Sequence, residues 1–414
     1  MIATAVSPLN KINLPNLPRF QNGDFSSIYW QNKLYLATII HQQQTSTYQV
    51  SLFNYDFVDK QWQQSYQKDL FPGDYIQEDS DNLNLESIND KISIEIIINQ
   101  DKNEHDCLEL NFLTYFVTQR LRSEDGINFY VLDSANLGDN NFRSLHQLLP
   151  SQNYLYGLPT TTALETSKPE INIPLIYYYQ KQKSLKWQTF SSDNFGGNSN
   201  QNISTLALFN DYIYVGTTNL EAGFQLWKTP ANAPQTWELV MTKGAYGYAI
   251  NQQVSFLVEF KGELYLASSV AKNNTTRNEF SYFYNCGFEL IRFYPDDDWD
   301  IIVGKPKFTP DGLKVPLAVM GAGFDDPYNQ EVNCLVVHHN RLYLGCQSTE
   351  GFQLWCSEDG ETWEQIPLDK FNNYRYVELE TAVSTSAGLA LLIRVNNTND
   401  LQLWLVEVLA SQQL

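Results

Sequence analysis

Charge is scarce in this chain and unevenly signed. Asp, Glu, Lys and Arg make up 18% of its 414 residues, and 47 acidic side chains outnumber 27 basic ones, for a net charge of −20. So few cations argue against nucleic acid or an anionic membrane as partner, because phosphates are repelled before any specific contact forms. Long apolar runs are missing too. The best, Ile94 to Ile98 and Leu389 to Ile393, have strand length, far below the roughly 18 residues of a bilayer-spanning helix. The opening stretch MIATAVSPLNKINLPNLPRF has no basic start and no apolar run of signal length, and the closing LASQQL has no lipidation signal. Cysteines are few and irregular: Cys107, Cys286, Cys334, Cys346 and Cys356, with no C-x-x-C pair. That pattern speaks against a disulfide framework and against a structural zinc site. Read as reduced apolar residues, they fit a reducing compartment, and the expected location is the cytoplasm.

What the chain does have is apolar and aromatic content. Hydrophobic residues reach 43% and aromatics 14%, which rules out global disorder. It also has an internal repeat. Residues 203–240, 254–303 and 332–366 share one grammar: an alternating apolar run, a two-residue turn, an L-Y-L-G-like run, a polar loop, G-F-[QE]-L, a further turn and a Trp. Asn210-Asp211, Lys261-Gly262 and His339-Asn340 separate period-2 runs by two residues, the arrangement of a tight hairpin. Weaker copies place further turns at Gln31-Asn32, Asn89-Asp90, Ser151-Gln152 and Ser386-Ala387. Each unit supplies four short strands, and seven such units predict an all-β, seven-bladed β-propeller of four-stranded antiparallel blades in one domain spanning 1–414. A small twisted sheet cannot bury both of its faces alone, so the aromatics are assigned to packing between blades. The last unit lacks room for a fourth strand after Leu401 to Leu409. A strand from Ile2 to Phe20 is expected to complete it and close the ring.

Two strings extend the reading. Ser357-Glu-Asp-Gly-Glu-Thr-Trp363 and Ser123-Glu-Asp-Gly-Ile-Asn-Phe129 resemble shortened Asp-boxes, the turn found in sialidase-type (BNR-like) propellers between third and fourth strands. Residues 321–345, GAGFDDPYNQEVNCLVVHHNRLYLG, are similar to the G-F-x-x-P-x-N loop and inner hairpin of uncharacterised bacterial and archaeal propeller repeats, and Asn194 to Asn200 looks like a decayed copy. The resemblance implies the fold and is nearly silent on activity. In the Asp-box strings the Asp carboxylate and Ser hydroxyl are suited to backbone amides and Gly to a positive φ, a fold-stabilising turn.

Catalytic signatures are thin. The arginines form no recognisable sialidase cluster, no G-x-S-x-G elbow is present, and Gly196-Gly197 and Gly321-Ala-Gly323 do not sit between a strand and a helix. His338 and His339 are adjacent on a strand and so point to opposite faces, a poor geometry for chelation. Asp296-Asp297-Asp298 and Asp325-Asp326 have the oxygen chemistry of a calcium site, although solvated turns account for them more simply. No cofactor is expected.

The remaining signal is topological. Loops from an outer strand to the next inner strand share one face with loops between second and third strands. That face gathers Asp325, Asp326, Tyr328, Asn329, Tyr246, Tyr248, Glu221 and Glu350 around the channel mouth. A concave mouth with converging polar groups is the default ligand site. The reading is a binding or scaffold propeller that recognises a partner protein or small ligand there. The alternative is an enzyme at the same mouth, for example a natural-product alkylating enzyme with Asp325 or Asp326 as general base beside Tyr328. A lectin or sialidase-like glycosidase ranks lower. The segments between Ala271 and Tyr282 and between Lys305 and Pro316 are insertions where specificity would reside.

Overall fold

The structure is a computed structural model. It describes residues 10–12, 25–42, 47–70, 93–100, 106–113, 118–123, 130–132, 145–151, 154–159, 176–180, 188–190, 200–232, 236–247, 250–269, 286–348, 351–368, 377–395 and 400–406.

A short strand, β1 (Asn10–Ile12), comes first. Unit one follows with β2 (Phe25–Trp30), β3 (Lys33–Gln42), β4 (Thr47–Asp56) and β5 (Gln61–Leu70). Unit two holds β6 (Ser93–Gln100), β7 (Asp106–Leu113), β8 (Thr118–Ser123) and β9 (Tyr130–Leu132). Unit three holds β10 (Leu145–Pro150), β11 (Tyr154–Pro159), β12 (Ile176–Gln180) and β13 (Gln188–Phe190). Unit four holds β14 (Asn202–Phe209), β15 (Tyr212–Thr218), β16 (Leu226–Pro230) and β17 (Glu238–Met241). Unit five holds β18 (Gln253–Phe260), β19 (Glu263–Ser269), β20 (Leu290–Phe293) and β21 (Trp299–Val303). An extra hairpin, β22 (Lys307–Thr309) and β23 (Gly312–Lys314), precedes unit six. Unit six holds β24 (Glu331–His338), β25 (Arg341–Ser348), β26 (Gly351–Ser357) and β27 (Trp363–Ile366). Unit seven holds β28 (Val377–Thr385), β29 (Gly388–Val395) and β30 (Asp400–Val406).

Within each unit consecutive strands pair antiparallel, and β1 adds the outer strand of unit seven, with Asn10 opposite Leu405 and Ile12 opposite Leu403. The first strands neighbour one another in chain order, and β28 returns beside β2. The described strands therefore form a closed ring of seven four-strand units, an all-β propeller with the first strands innermost. The expected strand from Ile2 to Phe20 is β1.

Local chemistry explains the hairpins. Gln31-Asn32, Asn210-Asp211, Lys261-Gly262 and His339-Asn340 all have positive φ at both central positions. That is the mirror-image turn whose twist matches the flanking strands. Ser386-Ala387 joins β28 to β29, with the Thr385 hydroxyl donating to the Gly388 carbonyl at 2.6 Å. Ser151 donates its amide to the Tyr154 carbonyl at 2.8 Å. One expectation is corrected. The run 93–100 is the first strand of unit two, not the second, and it pairs with Asp106–Leu113. Asn89-Asp90 lies outside the described residues. An alternating Ile-rich run fits either strand of a hairpin, and the polar pair before it was the wrong punctuation.

Aromatics hold the units together. Tyr35, Tyr156, Tyr214, Tyr265 and Tyr343 occupy matching places on second strands, and all are fully buried. Two residues on in the same strand, the L-Y-L-G pattern uses its Gly for proximity: Gly345 sits where a Cβ would lie 2.8 Å from Cys334 Sγ and 3.0 Å from Leu379 of the next unit. Cys286, Cys334, Cys346 and Cys356 are buried free thiols; Cys107 lies in a strand whose side chains are not described. The ring also closes through side chains. The Ser386 amide donates to the Tyr29 hydroxyl at 2.9 Å, and that hydroxyl donates to Asn32 Oδ1 at 2.7 Å.

Candidate functional site

The loops entering units five and six share an unusual backbone. Lys243, Gly244, Ala245 and Tyr246 have φ of 56°, 55°, 51° and 61°, and Gly323, Phe324 and Asp325 have φ of 67°, 59° and 66°. These are consecutive left-handed residues. Non-glycine residues pay roughly 1–2 kcal/mol each for that conformation, so surrounding contacts must impose it. Only Gly244 and Gly323 adopt it without that penalty. At Gly244 a Cβ would lie 2.6 Å from the Asn251 carbonyl oxygen.

The imposing contact is a buried asparagine two residues before each inner strand. Asn251 Nδ2 donates to the Gly244 carbonyl, and Asn329 Nδ2 to the Gly323 carbonyl, both at 2.9 Å. The same amide reaches sideways to the third strand of its own unit. Asn329 Nδ2 donates to Gln353 Oε1 at 3.0 Å, and Asn200 Nδ2 donates to Gln225 Oε1 at 2.7 Å. Gln225 and Gln353 are the variable residue of G-F-[QE]-L, and each also accepts from the indole two residues on, Trp227 or Trp355. The backbone repeats the join between units. Phe224 N donates to Asn251 O and Gly244 N to Phe224 O; Phe288 N donates to Asn329 O and Gly323 N to Phe288 O. Each turn is thus stitched to two adjacent units.

Unit five departs from its siblings. Glu289 replaces the glutamine and Ile291 the tryptophan. The buried Glu289 carboxylate accepts from Asn251 Nδ2 and from the Lys305 amide at 3.1 Å, and it forms an ion pair with Lys307. Lys307 comes from β22, is buried, and donates also to the Ala245 carbonyl at 3.0 Å. An acid buried without a cation costs several kcal/mol; here the extra hairpin supplies the cation and in return is anchored over the left-handed turn.

The residues expected at the mouth fall into two groups. Asn329 is fully buried and serves the join just described. Asp325 Oδ1 accepts from the Gly321 amide at 2.8 Å, and Asp326 Oδ1 accepts from the Tyr328 amide at 2.9 Å. Both carboxylates therefore shape their own loop. Tyr328 and Glu221 are exposed, and Tyr246 is half-buried and stacked on Trp299, with ring centroids 6.4 Å apart. Tyr248 and Glu350 lie outside the described residues. Asn251, Asn200, Glu289 and Lys307 were not anticipated. The signal available for Glu289 was the Glu in place of Gln within the repeat.

The other motifs resolve locally. Asp359 accepts from the amides of Glu361 at 2.8 Å and Thr362 at 2.6 Å, and the Ser357 hydroxyl accepts from Gly360 N at 2.7 Å. Burial raises the Asp359 pKa, but these amides, with the Thr362 and Ser357 hydroxyls, outweigh it and hold the carboxyl below its ordinary range. Of the second string only Ser123 is described. Asp297 Oδ1 accepts from the Tyr214 hydroxyl at 2.9 Å, and Asp298 Oδ1 from the Trp299 amide at 2.7 Å. Among the described residues no group of three or more His, Cys, Asp or Glu is placed to hold a metal ion, and no helix is long and apolar enough to cross a membrane. His338 is buried, with Nδ1 2.9 Å from Ser384 Oγ. An apolar crevice lined by Leu34, Trp62, Leu392 and Leu403 lies between units one and seven, away from the loop face.

Solved structures share this architecture. The chain is a β-propeller. The β-propeller domain of the Trilobed protease from Pyrococcus furiosus is 8% identical with a TM-score of 0.46, and the match covers 93% of this chain and 96% of that one. Pyrococcus horikoshii acylaminoacyl peptidase is 8% identical with a TM-score of 0.47, covering 90% of this chain and 49% of that one. A puromycin hydrolase S511A mutant complexed with PGG is 7% identical with a TM-score of 0.50, covering 96% and 55%. The chain thus spans about half the length of these two hydrolases. At such identities the likeness is one of fold alone. No family model and no curated protein matches the sequence.

Proposed function

We propose that this protein is a cytoplasmic binding propeller that recognises a partner protein or small ligand through the loop face. The observation behind this reading is the pair of left-handed turns at Lys243–Tyr246 and Gly323–Asp325, fixed by Asn251 and Asn329. A loop whose unfavourable conformation is over-determined from beneath presents its side chains in one arrangement, which lowers the ordering cost of binding. Tyr246 and Tyr328 on these loops are rigid amphipathic anchors of the kind enriched at interfaces. Catalysis is the weaker reading, because Asp325 and Asp326 spend carboxylate oxygens on loop amides.

The test is site-specific photocrosslinking in the native cell. A benzoylphenylalanine at position 328 is expected to give discrete adducts. The same group at Asp211, on the opposite hairpin-turn face, is expected to give none. Equal labelling from both positions, or none from 328, would refute the proposal.

A further inference from the structure

The segment from Lys307 to Met320 has its polarity reversed. In the extra hairpin Lys307 faces Lys314 and Phe308 faces Leu313 across the two strands. Both lysines point inward, Lys307 to Glu289 and Lys314 to Asp298 Oδ1 at 3.3 Å and to the Trp299 carbonyl. Phe308 points outward and is 84% exposed. The chain then runs beside β21, with Leu317 N donating to Ile301 O at 2.9 Å and Ala318 N to Ile302 O at 3.0 Å. Along this stretch exposure alternates. Leu313, Val315, Leu317 and Val319 face out, while Lys314, Pro316, Ala318 and Met320 are half-buried. Val319 is 90% exposed and has φ of 57°, an outlier for a β-branched residue.

An alternating segment ordinarily hides its apolar row and shows its charges. Here the row of four aliphatic side chains, flanked by Phe308, faces solvent on the outer edge of unit five. Together the five expose on the order of 500 Å² of apolar surface, the size of the largest patch on a soluble monomer, which is often an interaction site. That is also most of the ~800 Å² that each partner brings to a stable interface.

We propose that this surface is the two-fold interface of a homodimer, with the row of one copy packed on that of the other. Two features favour a second copy over another partner. The inward lysines are neutralised by the protein's own carboxylates, so the patch carries no free charge on a chain of net charge −20. Between two chains of like net charge, an uncharged surface is where contact meets the least local repulsion. The exposed rim charges, Lys305 and Asp311, stand three residues to either side of Phe308. A two-fold axis near Phe308 brings each copy's Asp311 toward the other's Lys305, the reciprocity of an isologous contact.

Sedimentation equilibrium of the full chain over a concentration series tests this. The parent is expected to be dimeric in the micromolar range, and Phe308→Glu to raise Kd by ~100-fold or more, with a melting temperature equal to the parent's at concentrations low enough for both to be monomeric, because Phe308 touches solvent in the single chain. Val58→Glu, at an exposed apolar site in unit one, should leave Kd unchanged. Lys305→Glu should weaken the dimer about tenfold, and Lys305→Glu with Asp311→Lys should return it to the parent value. A monomer at every concentration, a Phe308→Glu dimer of parental affinity, or no recovery in the double variant would overturn the proposal. Crosslinking from position 328 reads a different surface, so failure here leaves the loop-face result standing on its own.

Discussion

Lys307 reaches Glu289 from a hairpin outside the four-strand pattern, and Glu289 stands where units four and six carry glutamine. The pair is a matched change: the acid needs the lysine, and the lysine holds the hairpin.

Glu289→Gln alone should therefore do harm, although it restores the residue of the sibling units. It leaves Lys307 buried and unpaired, at a cost of about 3–5 kcal/mol. Adding Lys307→Met should bring stability back to within about 1 kcal/mol of the parent. Urea denaturation of both single variants and the double variant measures the coupling. A double variant no better than Glu289→Gln would show that the pair is not the relevant unit.

Asn329→Ala should cost about 1–3 kcal/mol, because the Gly323 carbonyl and Gln353 Oε1 each lose one buried donor, keeping only the Asp326 amide and the Trp355 indole. Amide exchange at Gly323 to Asn329 should rise more than elsewhere in unit six. Uniform exchange across the unit would mean that the turn is held by something else.

Burial, reinforced by neighbouring His339, lowers the His338 pKa from its ordinary value to about 4. The folded protein thus favours neutral His338, while the unfolded chain takes up a proton below pH 6.5. The stability from this residue is complete above that pH and is lost as pH falls from 6.5 toward 4, up to about 3 kcal/mol in all. Stability measured between pH 8 and 4 should fall over that window, and His338→Gln should flatten the slope. An identical slope in the variant would assign the acid sensitivity to other groups.

A chain lacking residues 1–20 should melt several degrees lower. Without β1, the backbone of Leu403 to Leu405 loses its partner, and unit seven gains an open edge. An unchanged melting temperature would make β1 dispensable for ring closure.

The ring was readable because each unit repeats its turn chemistry. Asn210-Asp211 or Lys261-Gly262 between period-2 runs announces a hairpin wherever it occurs, and a missing fourth strand called for β1. Unit two shows the limit, since a run of isoleucines carries no mark of which strand it forms. The joins were invisible for another reason. Asn200 meets Gln225 across 25 positions, Asn329 meets Gln353 across 24, and Asn251 meets Glu289 across 38; no fixed spacing links them. Nor do Lys243, Ala245 or Phe324 advertise a left-handed backbone, which tertiary contacts impose on them. In LKVPLAVM both alternating faces are largely apolar, so sequence could not tell which one meets water.

The Ser386–Tyr29 contact joins groups 357 positions apart. A ribosome releases Tyr29 long before Ser386 exists, so the first unit waits with one flank bare while the other six are built. Folding of this ring therefore waits on encounters between its two ends, which are slow because they are distant in sequence. Until that seam shuts, the nascent chain offers Leu34, Leu36 and their neighbours to any passing chaperone or to another unfinished copy.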